Sequence, residues 1–389
     1  MMLKRWYWLV GSVVLLAVYS CSDDSAGPVL EEDPEPLIYE VISDELVIPW
    51  QMAFSENGKL FVTERRGLVR LFLNGQLQTE PWLDLSDSLK TPDAPSVANS
   101  GLLGITLDPD FDSNGYVYLG YSYYAPSEEY DYNKLVRYIH DPETNTGTFD
   151  AILLDEIKGL SMHNTAQVKF GPDGKIYWSA GERHVVETAQ DKNDPPGSIL
   201  RLNADGSVPS DNPFTDNYVY AYGLRNSQGF DWHPQTGVML ATEHGPSGSQ
   251  GCCHDKVNHI IPGGNYGWPE IRGGETAPGM IGPLIHSGVG NDRDAYTWAP
   301  SGATFVHSGA WAGSFLFAGL RSQSLWKLDI LQDGDIVEED NLTRFTNGRF
   351  GRIRSVEQSP DGDIYIITSN LDQHDVPFEK DYLVRITIE

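Results

Sequence analysis

The stretch GPDGKIYWSAGE, residues 171–182, carries a turn of Gly, Pro, Asp and Gly followed by a short alternating apolar strand that ends in a carboxylate. Turn residues of this kind next to a short run rich in β-branched and aromatic side chains specify strand rather than helix. The same unit recurs as SENGKLFVTE (55–64), DPDFDSNGYVYLGY (108–121), HPQTGVMLATEH (233–244), GAWAGSFLFAGL (309–320) and SPDGDIYIITSN (359–370). An interval of roughly 50 to 75 residues is the length of a four-stranded antiparallel blade with a long loop. Six copies therefore predict an all-β fold, a six-bladed β-propeller. Runs such as LVRLFL, AQVKF, SILRL and YLVRITI agree, and no long segment holds an apolar stripe of helical period. A propeller closes its ring by pairing strands from both ends of the chain, which removes an exposed sheet edge. The segment Leu37 to Ile48 is thus expected to join the blade that ends in Tyr382 to Ile388.

The chain has 389 residues, 40% of them hydrophobic, enough to bury a large core. Its 55 acidic residues against 27 basic ones give a formal charge of −28, which argues against nucleic-acid phosphate or an anionic membrane surface as a partner. Lys4 and Arg5 precede an apolar run from Trp6 to Val18 and then Val18-Tyr19-Ser20-Cys21, an export signal too short for a comfortable membrane span. Its end resembles the bacterial lipoprotein signal, in which the cysteine is lipidated and becomes the mature N-terminus. Residues 1–20 read as that signal, 21–37 as an acidic flexible tether, and 38–389 as a single propeller domain. The expected location is outside the cytoplasm, periplasmic or extracellular, with contact to a bacterial membrane only through lipid on Cys21. The other two of the three cysteines, Cys252 and Cys253, are adjacent, and either a vicinal disulfide or two free thiols fits an exported chain. Neither a haem attachment spacing nor a second Cys/His pair for zinc accompanies them.

The stretch from Tyr222 to Trp268 is dense in glycine and proline, and reads as a ligand-binding rim with Arg225 and Asn226 at one turn. Arg352 and Arg354 are two apart on a strand, so both guanidinium groups face one space and could clamp carboxylates. His163 precedes one strand of the unit quoted first and Glu182 follows the next. A hairpin would return the carboxylate to the imidazole, an arrangement suited to removing a proton from a hydroxyl.

These residues stand in IPWQMAF, LFVTERRGLVRL, GLLGITLDPDF, MHNTAQVKFGPDGKIYWSAGE, GSILRLNADGSVPSDNPF, YGLRNSQGFDWHP, TEHGPSG, GGNYGWP, APSGATF and FGRIRSVEQSPDGDIYIIT. In order and spacing the set resembles the soluble quinoprotein glucose and aldose sugar dehydrogenases, over nearly everything from Ile48 onward. That resemblance implies a propeller binding pyrroloquinoline quinone (PQQ) and Ca²⁺, oxidising a small sugar to its lactone and passing electrons to an external acceptor. It implies roles as well: His163 as general base, Glu182 in place of a supporting aspartate, and Arg225 and Asn226 on the quinone carbonyls. Arg352 and Arg354 would hold PQQ carboxylates, Arg321 would contact the cofactor, and the carbonyls of Gly245 and Pro246 would hold Ca²⁺.

The chain also departs from that pattern. Asn99 stands where glutamine touches the sugar, and Met162 where glucose-oxidising members have aspartate, so both bear on which sugar is oxidised. Lys256 replaces a glutamate associated with a second calcium. Either Tyr296 or Trp298 matches the aromatic that flanks PQQ. Two other readings accompany this one: a non-catalytic propeller that binds a glycan or protein, and a Ca²⁺-dependent lactonase. The lactonase would need carboxylate and asparagine side chains at the axis, where this chain offers arginines.

Overall fold

In the computed structural model the first-quoted unit folds as the joint between two strands. Thr165–Phe170 pairs antiparallel with Ile176–Ala180, and Gly174, at φ 69°, closes the turn by donating its N–H to the Gly171 carbonyl at 2.9 Å. Ser198–Leu202 and Val219–Tyr222 complete this blade. The structure describes residues 32–389 except 90–99, 124–130, 161, 248–250, 289–296, 331–340, 373–376 and 389.

Six antiparallel sheets of this kind follow one another along the chain. Their innermost strands are Pro49–Phe54, Leu102–Leu107, Thr165–Phe170, Ser227–Trp232, Pro300–Phe305 and Ile353–Gln358. The outer edge of the first blade is divided between Gln76–Leu77 and Leu83–Asp84, both paired with Leu68–Leu73. Ring closure is as the sequence led us to expect: Leu37–Ser43 pairs with Leu383–Ile388 as the outermost strand of the sixth blade.

The core lies between blades rather than within any one of them. Phe61 and Val69 of the first blade pack with Leu102, Ile105 and Val136 of the second. Leu316 and Ala318 of the fifth meet Ile353, Val356 and Ile366 of the sixth. Met52 and Val62 meet Ile367 and Leu383 across the closure. Each such side chain, buried fully, contributes about 1.5–3 kcal/mol, so the apolar faces of the strands hold the ring together. Near the axis the strands come too close for a side chain. A Cβ on Gly229 would lie 2.4 Å from the Ser301 carbonyl oxygen, and one on Gly302 would lie 2.5 Å from Ser355 Oγ.

Because the first two strands of each blade are antiparallel, the start of one and the end of the next share a face. Thr165 opposes Ala180, Ser227 opposes Glu243, Pro49 opposes Glu64 and Ile353 opposes Thr368. The residues just before the inner strands and just after the second strands therefore gather around the axis on one side.

Candidate active site

His163 lies just before the inner strand of the third blade and Glu182 just after its second strand. Main-chain bonds fix the two segments: Gly181 N–H to Asn164 O at 3.0 Å, Arg183 N–H to His163 O at 3.0 Å, and Glu182 N–H to Arg225 O at 2.9 Å. A Cβ on Gly181 would meet the His163 carbonyl oxygen at 2.6 Å, so only glycine permits this approach. The His163 Nδ1 is then 2.5 Å from Glu182 Oε2, with the imidazole 10% exposed and the carboxylate fully buried. Burial lowers the imidazole below its ordinary range; the Glu182 hydrogen bond opposes this and the Arg225 charge reinforces it. A neutral ring that donates Nδ1–H to the carboxylate keeps a lone pair on Nε2, the form a general base needs.

Arg225 enters from the fourth blade and is buried. Its N–H donates to Glu243 Oε1 at 2.8 Å, while Glu243 Oε2 accepts from Asn258 Nδ2 at 2.7 Å and pairs with Lys256 Nζ at 3.0 Å. The Arg225 guanidinium lies over Trp268, 5.5 Å from the ring centroid. Asn226 Oδ1 accepts from Gln228 Nε2 at 2.8 Å.

Arg352 and Arg354 are both buried at the start of the sixth blade's inner strand. Arg354 stacks on Trp50, 3.9 Å from the ring centroid, and donates to Ser301 Oγ at 3.2 Å and Asp372 Oδ2 at 3.4 Å. Asp372 shares its other oxygen with Arg65. Burial outweighs the Asp372 charge and lowers the Arg354 guanidinium to about 9. Arg352 Nη1 donates to the Leu320 carbonyl at 3.5 Å, next to half-buried Arg321, whose own N–H donates to Trp298 O at 3.2 Å.

Gly245 and Pro246 are buried beside this group. Gly245 N–H donates to Asp255 Oδ1 at 2.8 Å, and Asp255 Oδ2 accepts from Thr297 Oγ1, Trp298 N–H and Ala299 N–H, each at 2.8 Å. The sulfurs of Cys252 and Cys253 are placed against each other, the arrangement of the disulfide alternative. The disulfide segment abuts the Gly245 loop: a Cβ on Gly245 would lie 1.8 Å from the Cys253 carbonyl oxygen. Met162 and Trp298 are half-buried, and Trp298 packs on Phe317 and Trp326. Asn99, Tyr296 and Cys21 lie outside the described residues.

The structure thus gathers His163, Glu182, Arg225, Asn226, Arg352 and Arg354 on one face, and adds residues that sequence reasoning missed. Arg65 and His244 follow the second strands of the first and fourth blades just as Arg183 follows that of the third, so the repeat itself held the signal. Trp50 and Asp372 carried no local signal.

Asn226 Nδ2, His244 Nε2 and Arg354 Nε are buried and have no hydrogen-bond partner among the described residues. A buried polar atom left so costs about 1–3 kcal/mol. Burial, reinforced by the Arg225, Arg354 and Arg352 charges, depresses the His244 imidazole, and in that cationic setting these atoms fit an anionic ligand rich in acceptor oxygens. Among the described residues no group of three or more His, Cys, Asp or Glu is placed to hold a metal ion. Glu243 and Asp255 spend their oxygens on the partners named above, so a cation here would draw on main-chain carbonyls and on the ligand. A larger cavity, about 670 Å³, opens at the opposite ends of the inner strands beside Phe54, Asp108, Lys169 and Gln358, away from these groups.

Residues 46–376 match the family described as Glucose / Sorbosone dehydrogenase. The chain is 28% identical over 353 residues to the aldose sugar dehydrogenase YliI of Escherichia coli (strain K12), covering 86% of this chain and 91% of that protein. It is 30% identical over 266 residues to quinoprotein glucose dehydrogenase B of Acinetobacter calcoaceticus, covering 60% of this chain and 52% of that one. Among solved structures, the PQQ-bound aldose sugar dehydrogenase of Streptomyces coelicolor superposes with a TM-score of 0.73 at 27% identity, covering 91% of this chain and all of that one (100%).

Proposed function

This chain belongs to the glucose/sorbosone dehydrogenase family, and on that premise we propose that it is a PQQ-dependent sugar dehydrogenase that oxidises an aldose to its lactone. The observation that carries the reading is the buried His163–Glu182 pair on the same face as the Arg225, Arg352 and Arg354 guanidinium groups.

PQQ, when bound, supplies the hydride acceptor at its C5 carbon. His163 Nε2 takes the proton from the hydroxyl on the anomeric carbon, which releases the hydride from that carbon. Glu182 holds the imidazole in the tautomer with Nδ1–H and stabilises the positive charge the ring acquires. Arg225 and the unpartnered Nδ2 of Asn226 would present donors to an oxygen of the bound quinone and favour negative charge there. Arg352 and Arg354, from a shared strand face, would hold the carboxylates of the cofactor, and Arg321 would contact it. The carbonyls of Gly245 and Pro246 would hold Ca²⁺, for which hard oxygen donors are suited. Burial of His163, Arg225, Arg352 and Arg354 excludes water and strengthens their interactions.

Electrons then leave to a separate acceptor, a protein or a soluble mediator. The signal-like N-terminus supports export and lipid anchoring through Cys21, with the propeller in the periplasm or outside the cell. Reconstitution with PQQ and Ca²⁺, followed by dye reduction across a panel of aldoses, tests the reading. We expect turnover with at least one aldose and its loss in His163→Ala; full turnover in that variant would refute the role of the base.

A further inference from the structure

We propose that His184 is the proton exit of this site, carrying to solvent the proton that His163 takes from substrate; this rests on the reading of His163 as base. Each turnover leaves a proton on an imidazole that is 10% exposed and whose Nδ1 side is closed by Glu182. The ring of His184 meets that of His163 edge to face, centroids 5.1 Å apart and planes at 88°, and His184 itself is exposed. One imidazole buried and the next in solvent is the arrangement a proton shuttle requires.

The backbone is held in an uncommon form to place it there. Arg183 and His184 both sit in the left-handed region, at φ 48° and 63°, which non-glycine residues rarely adopt. The turn is fixed from both sides of the catalytic pair: Arg183 N–H donates to the His163 carbonyl at 3.0 Å, and His184 N–H donates to Glu182 Oε2 at 3.2 Å. Strained backbone persists where the surroundings over-determine it, and it clusters at functional sites. Glu182, Arg225, His184 and His244 are the charged or titratable groups that face His163. Burial foremost, with the Arg225 and His184 charges, disfavours the protonated ring, and Glu182 favours it.

In the transfer, the N–H bond on His163 Nε2 breaks and one forms on a His184 nitrogen, through a bridging water or after the exposed ring turns. His184 then releases the proton to buffer, and no electrons move. The positioning of His184 beside His163 is tested by His184→Ala and His184→Gln in the PQQ- and Ca²⁺-loaded protein at saturating sugar and acceptor. In dilute buffer kcat should fall about tenfold or more, the scale of an assisted proton transfer, and added imidazole should restore it while leaving the parent protein unaffected. In the cofactor-free protein, NMR titration should show the His163 imidazole shifted upward in His184→Ala, since a like charge has gone. A kcat equal to that of the parent at every buffer concentration, or a fall that imidazole leaves unrestored, overturns the proposal. Absence of turnover in the parent protein would instead strike the dehydrogenase reading, and an unmoved His163 titration would then overturn the coupling as well.

Discussion

His163 Nδ1 and Glu182 Oε2 lie 2.5 Å apart, joined across the first two strands of the third blade and buried together. This pair fixes which imidazole nitrogen is left to act on substrate. Replacing Glu182 by Gln keeps the shape and removes the charge, so kcat should fall by about 10²–10⁴, while PQQ affinity measured by titration of the cofactor-free protein stays near that of the parent. A kcat within twofold of the parent would show that the carboxylate does not tune the base.

The same pair sets the acid limb of the pH profile. A base works only unprotonated, and burial holds His163 below the ordinary histidine value of 6.5. Activity should therefore persist to lower pH than a free imidazole allows, and fall as pH drops through the lowered value. Glu182 raises the pKa, so Glu182→Gln should move this limb to lower pH even as the rate falls. The linkage to stability has the same sign. The unfolded chain binds the proton more readily below pH 6.5, so this group's contribution is lost as pH falls. A limb that moved upward in Glu182→Gln would contradict the assignment.

Arg354 makes contacts from three blades: stacking on Trp50, a bond to Ser301, and the Asp372 carboxylate shared with Arg65. Arg354→Ala should weaken PQQ binding by roughly 10- to 100-fold, the worth of a charge-assisted hydrogen bond. Equilibrium titration by fluorescence quenching checks it. Arg354→Lys should recover part of the loss, because it restores the charge without the planar fork.

Lys256 and Glu243 face each other in register across the second and third strands of the fourth blade, and both are buried. Lys256→Met leaves Glu243 without its counter-charge. Breaking one side of such a pair costs about 3–5 kcal/mol, which thermal melts should register as a clear drop. Since Glu243 also accepts the Arg225 N–H, the variant should bind PQQ more weakly too. Unchanged stability would mean that Asn258 and Arg225 alone satisfy the carboxylate.

The architecture was legible because its determinants are local and repeated. Six turn-and-strand units, each reading like GPDGKIYWSAGE, prescribe six hairpins, and a strand left over at each end prescribes closure, as Leu37–Ser43 against Leu383–Ile388 bears out. The proximity of His163 and Glu182 was legible for the same reason: a single hairpin separates them. The meeting of Trp50 and Arg65 with Arg354 and Asp372 was not, since it depends on the first and sixth blades coming side by side in the closed ring. The Glu243–Lys256 pair depends on a register set beyond the loop that carries Cys252 and Cys253, whose length gives no register by itself.

The most direct measurement of the central claim is an absorption spectrum of the protein after addition of PQQ and Ca²⁺, repeated under anaerobic conditions with each of a panel of aldoses and no added acceptor. We predict saturable binding of the oxidised quinone, followed by its conversion to the reduced spectrum by at least one aldose in the parent protein and not in His163→Ala. A protein that binds no quinone, or binds it and leaves it oxidised with every aldose, would contradict the account.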